Sequence, residues 1–430
     1  MRWCTIRKTL AMAALVLLIT AATGNADEYH YVNMLVGNRA AGLGGAYAAI
    51  SDDPEGCYYN PAGIAMAPFS SLSASVNAYS QSEKTYEGAL LDTGGSTLDW
   101  KQTSSSLLPN FFGVIHKTGP GMLGFSYAVS DSIYRRQKQT FHNIASRVDD
   151  NAIENYVINI NDSDKTYFFG PSYAYRVTDT LSVGATFYLY YRDKEIIRNQ
   201  VLQFEQGQHY LMNYYETNQS WGYRPIAGVV WEPVDKLSLG LSLAKTVVTS
   251  SDSETQLTFR DTLAEDAYEL DGQNFDFSDT NALYLASSDS SEKEKFPLTV
   301  ATGITYFVSP SFLVSGDVTY YEAVSEKERV INFALGSEYY PWEWVAIRGG
   351  FFTDFSHTPE LNSDHVNQDE HVDIFGGSLS GTFFTHQSSI TLGFTYAMGR
   401  GEAQVVADTT SKQDVEIKNM TIFLSASYNF

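Results

Sequence analysis

From residue 70 to the last residue, apolar side chains alternate with small or polar ones. In the final stretch Ile422, Leu424, Ala426, Tyr428 and Phe430 share one face, while Thr421, Ser425, Ser427 and Asn429 take the other and Phe423 breaks the rule. Ile390, Leu392, Phe394, Tyr396 and Met398 repeat the arrangement, as do Leu237, Leu239, Leu241 and Leu243, and again Leu181, Val183, Phe187 and Leu189. Successive side chains of a strand point to opposite faces, so each stretch is a β-strand with one apolar side. A water-soluble sandwich would carry Lys and Glu on its second face. Here that face is Ser, Gly, Thr, Ala and Asn. Apolar residues toward lipid and small polar residues toward a lumen make the pattern of a membrane barrel.

The alternation predicts an all-β fold, a transmembrane antiparallel β-barrel of fourteen strands. They are placed at 70–84, 104–118, 120–141, 164–177, 180–198, 218–232, 236–249, 295–308, 311–325, 327–341, 343–356, 368–382, 388–400 and 418–430. An even count brings both ends of the barrel to one side of the membrane. Short turns at Lys117–Pro120, Val177–Thr180, Glu232–Asp235, Val308–Ser311, Tyr340–Glu343 and Thr385–Ser388 alternate with polar loops at 85–103, 142–163, 199–217, 250–294 and 401–417. Two connections on the loop side, near 326 and at 357–367, are shorter. Short turns inside and long loops outside are expected of an outer-membrane barrel. Trp221, Tyr223, Trp231, Tyr339, Tyr340, Trp342 and Trp344 crowd strand ends, where amphipathic rings suit the headgroup level.

Composition narrows the partners. The 430 residues are 43% apolar and 18% charged, with 29 Tyr and 25 Phe, which excludes a disordered chain. A formal charge of −22 repels phosphate backbones, so nucleic acid is no partner. Beyond residue 26 there is no apolar run of the roughly 18 residues that a membrane helix needs.

Residues 1–26 have the form of a cleaved export signal: Arg2, Arg7 and Lys8, then apolar Leu10 to Ile19, then small residues up to Ala26. Cys4 leaves with it, and Cys57 is then alone, without a disulfide partner and expected as a small buried hydrophobe. Residues 27–69 show no alternation, and residues 70–430 form the barrel. Within 27–69, Gly42, Gly44 and Gly45 permit close backbone approach, Asn60, Pro61, Ala62 and Gly63 supply turn chemistry, and Ala46–Ile50 is expected to form one helical turn. Side chains alone fill a barrel of about eight strands, so the wider lumen here must hold water or a plug. The small, nearly apolar N-terminal segment is the economical plug.

The run G-x-R-A-A-G-L-G-G-A-Y-A-A-x-x-D-D-P over Gly37–Pro54, leading to Y-Y-N-P-A-G at Tyr58–Gly63, resembles the N-terminal signature of the FadL-type family. These are outer-membrane transporters of long-chain fatty acids and hydrocarbons, toluene-uptake relatives included. The resemblance implies a fourteen-stranded barrel plugged by an N-terminal hatch, with Asn60, Pro61 and Ala62 standing at its Asn-Pro-Ala motif, and a kinked third strand that opens the wall laterally. Gly121 and Gly124 sit early in that strand. The implied function is passive uptake of a small hydrophobic molecule, which gains about 0.8 kcal/mol per methylene taken from water into an apolar pocket. Asn60 would hydrogen-bond neighbouring backbone and Pro61 would stiffen the bend, holding either a gate or a folding anchor. Inward Phe307 and Phe423 are candidates to touch ligand or to pack against the plug. The terminal aromatic strand, with Tyr428 and Phe430, resembles the signal read by the barrel assembly machinery.

Two other classes compete. A barrel hydrolase needs a nucleophile beside a placed base, and the one dense titratable cluster, Asp364, His365, Asp369, Glu370, His371 and Asp373, has neither helical His spacing nor a Ser partner. It reads as a solvated loop, with no metal and no cofactor. The acidic stretch from Asp252 to Glu294 reads likewise as a solvated exterior surface, with Ca²⁺-bridged lipopolysaccharide contact as the second reading, and the barrel as a whole is expected to meet outer-membrane lipid and lipopolysaccharide. The third class is an outer-membrane anchor or docking barrel for exported proteins, without transport; a stoichiometric partner on purification would mark it.

Overall fold

Each short turn closes an antiparallel hairpin, and fourteen strands follow one another around the wall in chain order. The computed structural model describes residues 29–146, 151–262, 268–270, 273–275, 284–405 and 410–430; the expected export signal lies outside them. The strands are β1 (Ser71–Leu91), β2 (Thr97–Thr118), β3 (Gly121–Ile144), β4 (Ile153–Thr178), β5 (Leu181–Phe204), β6 (His209–Val234) and β7 (Leu237–Asp261). Then come β8 (Lys295–Ser309), β9 (Phe312–Tyr321), β10 (Val330–Trp342), β11 (Val345–Asp354), β12 (His371–Phe384), β13 (Ser388–Ala403) and β14 (Gln413–Asn429). Ser71 pairs with Asn429 and the ladder runs on to Tyr86 and Val415, so β14 closes on β1. An accessory strand, Tyr284–Ser290, pairs with the far end of β7.

All fourteen strands stand where the alternation placed them, and the two short loop-side connections are genuine. The loops are another matter. Much of 85–103, 142–163, 199–217 and 250–294 is strand rather than loop, because β1 to β7 continue well past the stretches of clean alternation. The continuation has its own core: Tyr86, Trp100, Phe141, Tyr156, Phe204, Tyr210 and Phe259 turn inward and cluster at that end. Burying these rings repays the cost of ordering polar hairpins.

The apolar face looks out. Leu392 is 60% exposed while its neighbour Thr391 is 1% exposed, and Ile390, Phe394, Leu424, Phe187 and Leu241 are exposed in the same way. Among the rings at strand ends, Trp221, Trp231, Tyr339, Trp342 and Trp344 face outward, with Trp342 and Trp344 stacked at 5.3 Å. Tyr340 does not join them; its hydroxyl turns to Glu338 at 2.7 Å on the lumen side.

Residues 29–66 are mostly buried against inward residues of the wall and include α1 (Arg39–Gly42), α2 (Gly56–Tyr59) and a 3₁₀ turn at Pro61–Met66. The helical turn expected at Ala46–Ile50 is displaced to Arg39–Gly42. Gly44 and Gly45, at φ +66° and +87°, end the helix, and the amides of Tyr47 and Ala48 turn instead to the wall carboxylate of Asp317 at 2.8 and 2.7 Å.

Candidate functional site

The small polar inward face supplies partners for the backbone of the N-terminal segment. Ser238 donates to the carbonyl of Ala49 at 2.7 Å, Thr186 to Cys57 at 2.8 Å and Ser378 to Gly42 at 3.0 Å. An irregular chain enclosed in a barrel must find such partners for its amides and carbonyls. Asn60 makes three such bonds. Its Nδ2 donates to the carbonyls of Ala48 at 2.7 Å and Val229 at 3.1 Å, and its Oδ1 accepts from the amide of Ala62 at 3.2 Å, capping the 3₁₀ turn in which Pro61 is the first residue. Gly228 makes this seat possible: a Cβ there would fall 1.9 Å from Asn60 Oδ1. Pro61, Ala62 and Gly63 are all buried beside it. Gly44 lies as tightly on β11, where a Cβ would sit 2.8 Å from the amide of Phe351.

Charge adds a second attachment. Arg39 donates to Glu338 on β10 at 2.8 Å, and Arg348 on β11 donates to the same carboxylate at 2.5 Å; Arg39 also pairs with Asp52. Glu55 is fully buried and accepts from the amides of Asn38 at 2.7 Å and Ala40 at 3.1 Å. Burial first, then the neighbouring Asp53, pushes its carboxyl up to about 8. Burial likewise pushes the Cys57 thiol up to about 11, so it is an inert packing group, as expected.

The wall is interrupted on one side. β2 and β3 pair from Thr118 and Gly121 to Phe111 and Ala128, then only again at Thr103 and Arg136. Residues 104–110 and 129–135 are unpaired with one another, a gap of roughly 20 Å along the strands at about 3.3 Å per residue. β3 shifts register against β4 between Val129 and Asp131, β1 shifts against β14 between Asn77 and Tyr79, and Pro109 lies in the β2 lip. Gly121 and Gly124 have no part in this opening. Both are fully paired near the short turns, and Gly124 makes room for Cys57, whose Sγ would lie 2.7 Å from a Cβ.

Two cavities adjoin the N-terminal segment, of about 80 and about 130 Å³, and Val32, Met34, Leu35 and Phe352 line both. The smaller borders the gap through Ser106, Leu108 and Ser132 and is lined by Phe423, 1% exposed, across the lumen. The larger is lined by Tyr31, Tyr58, Arg224, Asp317 and Tyr321. Phe307 lines neither; it packs against the apolar cluster formed by Ala40, Leu43, Tyr47 and Ile50 of the segment with Leu313 of the wall. Tyr428 and Phe430 are exposed, with the Phe430 ring 6.1 Å from His116 and its amide donating to the carbonyl of Ser70 at 2.9 Å. In the titratable cluster, Glu370 accepts from Tyr86 at 2.9 Å and Asp369 from Tyr29 at 3.3 Å, and no group of residues suited to a metal occurs among the described residues.

Sequence reasoning missed Asp317, Glu338, Arg348 and Arg224. Each is a charged residue on the inward parity of its strand with a small inward neighbour two positions before or after it, Ser315, Gly336, Gly350 and Gly222, and that parity was available to find them.

Comparison with known proteins agrees with this architecture. Residues 33–430 match the family model described as outer membrane protein transport protein (OMPP1/FadL/TodX). No individually curated protein matches the chain. Among solved structures, a Pseudomonas aeruginosa FadL homologue is similar at a TM-score of 0.61 and 16% identity, over 92% of this chain and 99% of that one. The Ralstonia pickettii toluene transporter TbuX gives 0.57 and 14%, over 95% and 100%. The Pseudomonas putida toluene transporter TodX gives 0.57 and 12%, over 91% and 97%. At such identities the solved structures speak for the fold.

Proposed function

Because the chain belongs to the OMPP1/FadL/TodX family of outer-membrane transport proteins, we propose that it takes up small hydrophobic molecules, long-chain fatty acids or hydrocarbons, by passive diffusion. The observation that carries this reading is the unpaired stretch between β2 and β3 beside a lumenal cavity. Cargo enters from outside, leaves water for the cavities beside Met34 and Leu35, and passes sideways through the gap into the membrane. Residues 27–69 act as the hatch. Gly42, Gly44, Gly45 and the Asn60–Gly63 motif keep it seated, which blocks the direct route through the lumen while the lateral route stays within reach. Phe423 lines the path and Phe307 steadies the hatch. The exposed terminal aromatics Tyr428 and Phe430 serve the barrel assembly machinery during insertion, and the outer surface meets lipid and lipopolysaccharide.

The test is uptake of radiolabelled oleate or toluene by a deletion strain with and without the gene. Faster uptake with the gene is expected for at least one of them; equal uptake of both would remove the reading.

A further inference from the structure

The outer wall divides by charge on the loop side of its aromatic rings. Tyr167, Tyr191 and Trp221 form one outward rung across β4, β5 and β6, with Tyr167 and Tyr191 stacked at 5.9 Å and Tyr191 at 4.4 Å from Trp221. Amphipathic rings of this kind mark the headgroup level. Beyond them, β5 and β7 turn Asp193, Glu195, Asp252 and Glu254 outward, whereas β2 to β4 turn out Lys101, Arg136, Lys138 and Lys165. Arg136 pairs with Thr103 at the loop-side margin of the gap. Two residues further along each strand stand Lys101 and Lys138, and the amide of Lys101 donates to Gln139 Oε1 at 3.1 Å. Lys165 lies 4.8 Å over the ring of Tyr134.

Carboxylates touch only the margins of this patch. Asp99 comes to 4.0 Å from Lys101, Glu83 stands opposite Thr103 and Asp193 opposite Lys165. Arg136 and Lys138 face Asn161 and Asn159 on β4, and among the described residues neither forms an ion pair. Like charges side by side in a ladder repel, and a multiply charged anion that meets several of them at once relieves the repulsion. In a chain of net charge −22 the patch is also a local reversal of the field. The anion that lies at this height, just past the aromatic rung, is the phosphorylated glucosamine head of lipopolysaccharide in the outer leaflet. We propose that Lys101, Arg136, Lys138 and Lys165 form a docking site for the phosphates of one lipopolysaccharide molecule, through charge-assisted hydrogen bonds. Its acyl chains run down the wall over Leu107, which is 70% exposed beside the gap, and over exposed Phe125 below it. This rests on the reading that the outer surface meets lipopolysaccharide, and it names the residues and the chemical group that make the contact.

The test titrates the purified full barrel in detergent micelles with hexa-acylated lipid A bearing two phosphates and with the same lipid stripped of both, and reads bound lipid by native mass spectrometry. The wild-type protein is expected to prefer the phosphorylated form by roughly tenfold or more, the yield of a few cations acting on an anionic head group. The double variant Arg136→Gln/Lys138→Gln should lose most of that preference while its affinity for the stripped lipid is unchanged, and an unaltered heat-dependent shift in gel mobility shows that it is folded. Lys117→Gln/Arg176→Gln removes the same charge from exposed residues at the short-turn end and should change nothing. Equal affinity for the two lipids, or an equal loss in both double variants, overturns the site and leaves general contact with lipopolysaccharide standing. Displacement of the lipid by inorganic phosphate at equal concentration would assign the patch to free phosphate instead. Dissociation of an oligomer by Arg136→Gln/Lys138→Gln, with lipid A binding intact, would assign it to the acidic face of a second copy. Binding of neither lipid would overturn the general contact as well.

Discussion

Asn110 donates through Nδ2 to Asn77 Oδ1 at 3.0 Å, joining the irregular stretches of β1 and β2 at the level where β2 parts from β3. The same Nδ2 reaches the carbonyl of Leu35 at 3.3 Å, and Asn77 touches Met34 through its own Nδ2. The frame of the gap and the N-terminal chain that divides the two cavities are therefore one hydrogen-bonded unit. Movement of that chain would be felt at the gap.

If cargo leaves through the gap, a bulky side chain on its lip should stop it. Ser132 lines both the unpaired stretch of β3 and the adjoining cavity of about 80 Å³. Ser132→Trp fills that space with an indole and is expected to lower uptake of radiolabelled oleate or toluene at least fivefold, while Ser132→Ala leaves it unchanged. Both variants should reach the outer membrane in normal amount. Normal uptake by the Trp variant would rule out exit at this point.

The Asn60 contacts predict how firmly the hatch is seated. Asn60→Ala removes three hydrogen bonds, to Ala48, Val229 and Ala62, each worth roughly 1 kcal/mol net. The barrel should still assemble, because Asn60 belongs to no wall strand. Cys57, buried against the wall, reports the change. Its alkylation by a maleimide is expected to be slow in the wild-type protein and at least tenfold faster in Asn60→Ala. Equal rates would mean that the motif does not hold the segment in place.

The shared carboxylate of Glu338 predicts a coupled pair of effects. Glu338→Gln leaves Arg39 and Arg348 without their common counter-charge, and breaking a buried pair in this way costs roughly 3–5 kcal/mol. Arg39→Met on top of it removes a cation left with Asp52 alone and should recover part of the loss. Thermal unfolding followed by the shift in gel mobility gives both numbers. A double variant whose loss equals the sum of the losses of Glu338→Gln and Arg39→Met measured singly would show that Arg39 and Glu338 are energetically independent.

The strand count and the orientation of the apolar face were legible because period two is a local property, repeated along each strand. Leu392 and Thr391 declare their faces without reference to any other strand. The extended hairpins were not legible, because Tyr86, Trp100 and Phe204 acquire a reason to turn inward only once they meet. The gap lies between these cases. Outward residues of β3 fall at Leu123 and Phe125, then at Arg136 and Lys138, so the parity changes within the strand; that change is in the sequence, whereas Gly121 and Gly124 pointed to the wrong end. The hatch motif could be found from its turn residues, but the partners that seat it, Val229 and Asp317, are brought to it by closure of the barrel.

Glu55 should make attachment of the N-terminal segment depend on pH. Its carboxyl ordinarily ionises near 4.5, and burial with Asp53 nearby raises it to about 8 in the fold, against the opposing pull of the Asn38 and Ala40 amides and of Arg348. Below about 4.5 the group is protonated whether the segment is seated or released, and its ionisation carries no penalty. As pH rises toward 8 the released segment gives up the proton more readily than the seated one, so seating weakens across this window and levels off above it. Hydrogen exchange at the amides of Asn38 and Ala40, corrected for the intrinsic rate at each pH, should show greater protection at pH 5 than at pH 8. Glu55→Gln should remove most of the difference, the remainder belonging to Asp53, whose carboxyl burial also raises. Protection that does not change with pH in the wild-type protein, or that changes as much in Glu55→Gln, would show that Glu55 does not govern the attachment.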